Sequence, residues 1–481
     1  MRFGFVGPTY STRSAVVGQE RCVNLYPEIV ETPNAKARVV LRVTPGLTTF
    51  CTLPDSPVRT IHENNGTVVV AAGSHLYSLN STGAYGELGH IQDGNDPVSI
   101  ASSTNQHFIC SQGHGYLWSA GVLTSAGPVQ PEQVVFLDGY FVAFDKDTQK
   151  FYISGLYDGA TWDPLDYASV ESDPDNLVSM IADHREIWMF GEQTIQPYVN
   201  TGDTDQPLQP REGATIEQGC GARDTAVKLD NSIFWLGSSQ RGGRILWRAN
   251  GYTPVRVSTH AIEQAWETYP RVDDAYAYPY EHEGHAFYEI TFPTAEVRTY
   301  PLATVTVGAT WVYDCATQLW HERGEWDSTY AVWKQHRGMC HCYVWGKHLI
   351  GDRENGKIYQ MSSTVYADAG TPIRRMRQAP VVSNAGGVLF HKALTLEMET
   401  GVGLTTGQGS DPQIMMQFSD DCGRTWSSER WAALGKIGEY ARRVIFRRLG
   451  RSRNRVYKVE VTDPVSVAFA DADLEVEQGT N

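Results

Sequence analysis

The chain has 481 residues, enough for several cores or for one large repetitive fold with an appendage. Apolar residues make up 41% and charged residues 20%, which excludes a disordered chain. A formal charge of −15 and a pI near 5.4 have the wrong sign for a dedicated DNA binder. The 45 glycines and 11% aromatics suggest many turns and a sheet-rich protein. Eight cysteines, thinly spread, do not make a disulfide scaffold and fit free thiols in a reducing cytoplasm. The N-terminal MRFGFVGPTY lacks a basic region followed by an apolar run, so no signal peptide is expected. The longest apolar stretch, near Val68 to Ala72, is far too short to span a membrane.

In chain order, residues 1–57 contain RCVNLYPEIVETPNAKARVVLRVTPGL and read as an extended, Pro-punctuated arm. A repeating unit follows: a Gly, Asn or Asp turn, a short apolar strand, a second turn, and a strand with an aromatic. Copies run from Gly66 to Leu79, Asn105 to Ser119, Asp138 to Ser154, His184 to Val199 and Asn231 to Arg248. A sixth joins Gly284 to Pro293 with Thr310 to Glu322, and a seventh runs from Cys342 to Met361. Each reads as a hairpin of Val, Ile, Phe, Tyr and Trp between turn residues. Spacings of roughly 35 to 55 residues match propeller blades, and radial repetition protects sheet edges. The one convincing helix is VSTHAIEQAW, with Ile262 and Trp266 on one face and Ser258 or Thr259 as cap. After a boundary near 365 the pattern changes. TLEMET, VYKVEV and VSVAF alternate as half-buried antiparallel strands do. The predicted fold is all-β: an arm (1–57), a β-propeller of hairpin repeats with six or seven blades (58–365), and a C-terminal antiparallel β-sandwich (366–481).

Four constellations could carry chemistry. FSDDCGRTW fills an Asp-box with Ser419, Asp421, Gly423, Thr425 and Trp426. Its Asp accepts backbone N–H bonds inside a tight turn, its Gly takes a positive φ and its Trp packs the turn onto the sheet. The pattern is known from sialidase propellers, so a sialidase-like glycan hydrolase or glycan-binding propeller is the alternative function. One box, outside the hairpin repeats and without an arginine triad, reads instead as a structural turn. Cys340 and Cys342 flank His341, but no second pair gives zinc-knuckle spacing. Asp273, Asp274, Glu281 and Glu283 lie near Tyr276, Tyr278 and Tyr280 and could form a carboxylate pair. ARRVIFRRLGRSRNRVYK crowds Arg442, Arg443, Arg447, Arg448, Arg451, Arg453 and Arg455 into an acidic chain. Nucleic-acid contact, a protein interface through arginine–carboxylate pairs, and a solvated turn all fit; the interface is favoured. No P-loop, G-x-G-x-x-G fingerprint or nucleophile elbow occurs. No catalytic, cofactor or metal residues are assigned.

The ordered features resemble one family. VNLYPE with LRVTPGL is similar to the opening arm of the tail hub, or nozzle, proteins of short-tailed phages, also called packaged DNA stabilization proteins. YISGLYDGATWDPLDYASVESDPDNLVSM with REIWMFGEQTIQPYVNTG is similar to the central segment. EQGCGARDTAVKLDNSIFWLG and VSTHAIEQAW resemble the next blade and short helix. FSDDCGRTWSSERW with RVIFRRLGRSRNRVYKVEVTDPV resembles the C-terminal domain. The resemblance implies a non-catalytic virion component without cofactors, made in the host cytoplasm and built into the tail as a ring, usually of six copies. Its implied partners are the head-to-tail adaptor, a tailspike or fibre, and a plug or needle protein. DNA is expected to slide through an acidic channel without specific binding, and no membrane insertion by this chain is expected.

Overall fold

The computed structural model describes residues 3–32, 35, 37–170, 175–203, 206–238, 244–299 and 303–479. Among these, each predicted hairpin unit is the middle of a larger sheet. Strands Val58–Asn64, Thr67–Ala72, His75–Leu79 and Tyr85–His90 pair in sequence order as blade 1. The same meander recurs over 99–125, 131–169 and 177–210 as blades 2 to 4. Blade 5 covers 219–256, and its inner edge is split into Gly219–Cys220 and Val227–Leu229. Blade 6 covers 276–323 and carries an inserted hairpin of Glu296–Thr299 and Ala303–Thr306. Blade 7 uses Gly338–Val344, Lys347–Asp352 and Lys357–Ser362. Among the described residues the blades therefore number seven, the higher of the two expected counts.

The local sequence explains the blades. Thr67–Ala72 is apolar on both faces because it lies between two neighbours. Val68, Val70 and Ala72 pack with Leu349 and Ile358 of blade 7. Val69 and Ala71 pack with Ile91, Val98 and Ile109 on the blade 2 side. Both residues of the Asn65–Gly66 turn have positive φ (51° and 82°), as a two-residue hairpin with right-handed strand twist requires. The predicted helix spans His260–Glu267 and buries Ile262 and Trp266. Thr259 sits at its N-cap without a side-chain bond. The Ser258 hydroxyl instead donates to Glu263 at 2.6 Å.

Residues 1–57 do not form a separate arm. Gly46–Thr52 is the fourth strand of blade 7, paired antiparallel with Lys357–Ser362. The ring of blades is thus closed by a strand from the beginning of the chain. The earlier part of the segment builds the sandwich. One sandwich sheet runs Leu25–Ile29, Val39–Val43, Ala468–Gln478, Leu389–Met398, Val444–Ser452. The other runs Gln19–Val23, Arg375–Gln378, Asn454–Val461, Gln413–Ser419, Arg430–Ala433. Phe5, Leu25 and Leu41 share one core with Leu394, Met416, Tyr457 and Leu474. The segment reads as extended because it is made of strands, but their partners lie hundreds of residues away. Val23 also pairs in parallel with Glu322, so the second sheet runs on into blade 6.

Candidate functional site

The Asp-box turn follows strand Gln413–Ser419, an interior strand of the second sandwich sheet. Buried Ser419 donates to Asp421 Oδ1 at 2.6 Å and accepts from the Gly423 N–H at 2.7 Å. Asp421 Oδ1 accepts from the N–H groups of Arg424 and Thr425, both at 2.9 Å, and Oδ2 from the Thr425 hydroxyl at 2.6 Å. Cys422 and Gly423 take the left-handed region, with φ of 61° and 91°. The Ser419 hydroxyl, then the Thr425 hydroxyl and the Thr425 and Arg424 amides, hold the Asp421 carboxyl well below the usual carboxylate range. Trp426 is half-buried, and Lys458 of the adjacent strand lies 4.4 Å from its ring centroid. All five box residues thus serve the turn or its contact with the sheet.

The arginine run divides where the chain crosses from one sandwich sheet to the other. Arg442, Arg443, Arg447, Arg448, Arg451 and Arg453 are exposed. Strand Val444–Ser452 is the last of its sheet, so its outward side chains reach water. Arg455 corrects the expected grouping. It is 1% exposed, pairs both guanidinium arms with Asp420 at 2.6 and 2.8 Å, and lies 4.0 Å from the Phe418 ring centroid. It belongs to the sandwich interior because its strand, Asn454–Val461, is central in the other sheet. Exposed Trp431 of the edge strand Arg430–Ala433, with Ile437 and Tyr440, lies on the connection between the two sandwich edges. Arginine with exposed Trp and Tyr is the composition of energetic centres in protein interfaces.

The candidate catalytic groups do not converge. Tyr276, Tyr278 and Tyr280 point inward while Glu281 and Glu283 are exposed. Strand Tyr276–His282 separates Asp274 from Glu281, and its five steps from Tyr276 to Glu281 span roughly 17 Å, beyond a glycosidase carboxylate pair. Asp273 is taken up by Arg271 at 2.8 and 2.7 Å. Tyr278 does donate to a carboxylate, Glu289, at 2.5 Å, but both are sealed between blades 6 and 7 with no route for a sugar. Cys340 and Cys342 pack into the core between blades 7 and 1. Burial pushes their thiols up to about 12 and about 11, so they stay protonated and are poor metal ligands. His341 bonds His348 at 3.0 Å instead. A cavity of about 550 Å³ opens where the inner strands of blades 6 and 7 begin; there Arg223 bridges Glu132 at 2.5 Å and Asp224 at 2.8 Å.

Several organising residues gave no sequence signal. Glu289 accepts from Arg323 at 3.0 Å and lies 2.9 Å from His336 Nδ1. Arg323 also donates to the Pro45 carbonyl at 2.8 Å, just before the closing strand. Arg377 donates to the carbonyls of Phe5 and Pro8 at 2.5 and 2.9 Å and so holds the start of the chain. Of the central segment quoted for the resemblance, residues 171–174 lie outside the described residues, as do residues 239–243 of the fifth unit.

These features define a class: an all-β protein in which the N-terminal segment supplies strands to both a closed propeller and a sandwich. Two family profiles match in chain order. The one described as bacteriophage P22 Gp10, beta-propeller, covers residues 7–366, and the one described as bacteriophage P22 Gp10, beta-sandwich, covers 374–477. The chain belongs to this family of tail hub or nozzle proteins of short-tailed phages, and it is a phage tail structural protein. A comparison with curated proteins finds no match. Among solved structures, the chain is similar to the N-terminal domain of Nup159 at 8% identity, TM-score 0.40, covering 74% of this chain and 99% of that one. It is also similar to YjhT at 11% identity, TM-score 0.32, covering 54% and 96%.

Proposed function

We propose that the chain is the repeating subunit of a tail nozzle ring, usually of six copies, below the head-to-tail adaptor. The ring extends the DNA channel, helps retain and later deliver the packaged genome, and docks a tailspike or fibre and a plug or needle protein. The observation that carries this is the pair of family matches, which follow one another across both domains. The charge supports it. A net charge of −15 makes a wall that repels phosphates, whereas a basic lumen would retain DNA through counterion release. On this proposal the exposed arginines of 442–453 face acidic protein surfaces rather than the channel, and the Asp-box is a structural turn. Negative-stain imaging of the purified chain, alone and mixed with its adaptor, tests the proposal. Rings with a central hole support it. A chain that stays monomeric under both conditions, or one that turns over fluorogenic sialosides, overturns it.

A further inference from the structure

The rim of blade 1 carries a cluster that the tail role does not use. Among the described residues, His75, Glu87 and His90 form the one group of three potential ligands whose donor atoms all lie within 4.8 Å of one another. His75 opens strand His75–Leu79 and stands opposite His90, the last residue of Tyr85–His90. Glu87 and His90 are three apart and would point to opposite faces of a regular strand. A bulge prevents this: Leu76 pairs with Gly89 and Tyr77 with Glu87, leaving Leu88 as the extra residue. Bulges re-aim side chains in this way beside functional sites. Gly89 has a φ of 149°, and a Cβ there would come within 2.9 Å of Leu123.

The surrounding groups prepare His75 for coordination. Asp55 Oδ2 lies 3.1 Å from His75 Nδ1 and also accepts from the Tyr77 hydroxyl. A carboxylate at Nδ1 fixes the tautomer that leaves Nε2 as a lone-pair donor, the arrangement found behind metal-bound histidines. The His75 and His90 rings are 4.0 Å apart between centroids, and Glu87 Oε1 lies 3.9 Å from His90 Nε2. The His90 and Glu87 side chains are 73% and 54% exposed, so a fourth position is open to water.

We propose that His75, His90 and Glu87 bind a divalent transition metal of the Zn2+ type, with Asp55 as the positioning residue. Two imidazoles and one carboxylate with an open position suit Zn2+, whereas Ca2+ and Mg2+ require oxygen ligands throughout. The bound ion pins the outer strand of blade 1 to its neighbour. The test titrates metal-stripped full-length protein with Zn2+ by calorimetry and with Co2+ by visible absorption. One saturable site per chain with a Co2+ d–d band is expected. His90→Ala and Glu87→Gln, both at exposed positions, are each expected to weaken Zn2+ binding at least about tenfold and to lose the band. Asp55→Asn is expected to weaken it roughly 10–100-fold. His114→Ala, at an exposed position in blade 2, is the control and leaves binding unchanged. Unchanged affinity in both His90→Ala and Glu87→Gln, or no saturable binding by the parent protein, overturns the proposal.

Discussion

Two arginine-rich segments, 374–377 and 442–453, have similar composition and opposite positions in the fold. In the first, Arg375 and Arg377 are each 1% exposed. Their strand, Arg375–Gln378, is flanked by Gln19–Val23 and Asn454–Val461, so it has no free edge. Arg375 donates to the carbonyls of Asp463 and Tyr366, and Arg377 to those of Phe5, Pro8 and Arg21. Burial lowers both guanidinium pKa values, yet with several donors apiece they tie distant backbone carbonyls to this strand. In the second segment the strand is the last of its sheet, and the arginines face water. Position in the sheet, not charge density, decides whether an arginine knits the chain or faces outward.

The interior half of this contrast is tested most severely in the propeller, where Arg323 and Glu289 are both buried. Removing one partner of a buried pair leaves an uncompensated charge, so Glu289→Ala is expected to cost about 3–5 kcal/mol in urea unfolding. Burial pushes the Glu289 carboxyl up, but the Arg323 guanidinium and His336 outweigh this and hold it at about 2. A depressed folded-state pKa contributes stability that is present above the unfolded value, near 4.5, and is lost as pH falls toward about 2. The urea midpoint should therefore fall steeply across that window in the parent protein and more gently in Glu289→Gln. Superimposable acid profiles would mean that the pair carries no pH-dependent stability.

Next in size is Arg377→Met. It leaves the Phe5 and Pro8 carbonyls without their donor, at an expected cost of about 3 kcal/mol. Protease cleavage near residues 5–12 should appear at lower urea than in the parent. The same substitution at exposed Arg447 should change stability by less than about 0.5 kcal/mol. Equal costs at the two positions would erase the contrast. Smaller still is Ser419→Ala, which leaves the Gly423 N–H unpaired at the buried end of the Asp-box turn. A loss of about 1 kcal/mol in thermal unfolding is expected. The neighbouring carboxylate of Asp421 bonds its amides at the surface, so Ser419 is the buried anchor of the box.

The sequence made the hairpins legible because their signal is local: apolar strands joined by turns, with both partners inside one short window. Each unit from Gly66–Leu79 onward lies inside a blade for that reason. The closing strand Gly46–Thr52 was not legible, since what makes it part of blade 7 is pairing with Lys357–Ser362, some 300 residues later. LRVTPGL shows apolar spacing but nothing that names a partner. The turn at the Asp-box is local, with donors and acceptors within seven residues, yet only the Asp–amide bonds were read from the sequence; the Ser419 and Thr425 hydroxyl bonds were not. Arg455 was not: the run reads continuously through it, and only the crossing from the edge strand Val444–Ser452 of one sheet to the central strand Asn454–Val461 of the other turns it inward. The Glu289–Arg323–His336 cluster joins three segments, none of which is unusual alone.

The exterior half of the contrast is expected to carry the smallest effect on folding. Arg447, Arg448 and Arg451 are exposed on an edge strand beside Phe390. Reversing all three to Glu should leave the unfolding free energy within about 0.5 kcal/mol of the parent. If the edge meets acidic protein, the same triple variant should weaken ring formation or adaptor binding in sedimentation velocity, because like charges would then face each other. The parent association should also weaken as salt rises, since exposed charge pairs are screened. A triple variant that assembles as the parent does at low salt would remove this edge from the interface. The exposed arginines would then be a solvated face, and the contrast between the two segments would be one of burial alone.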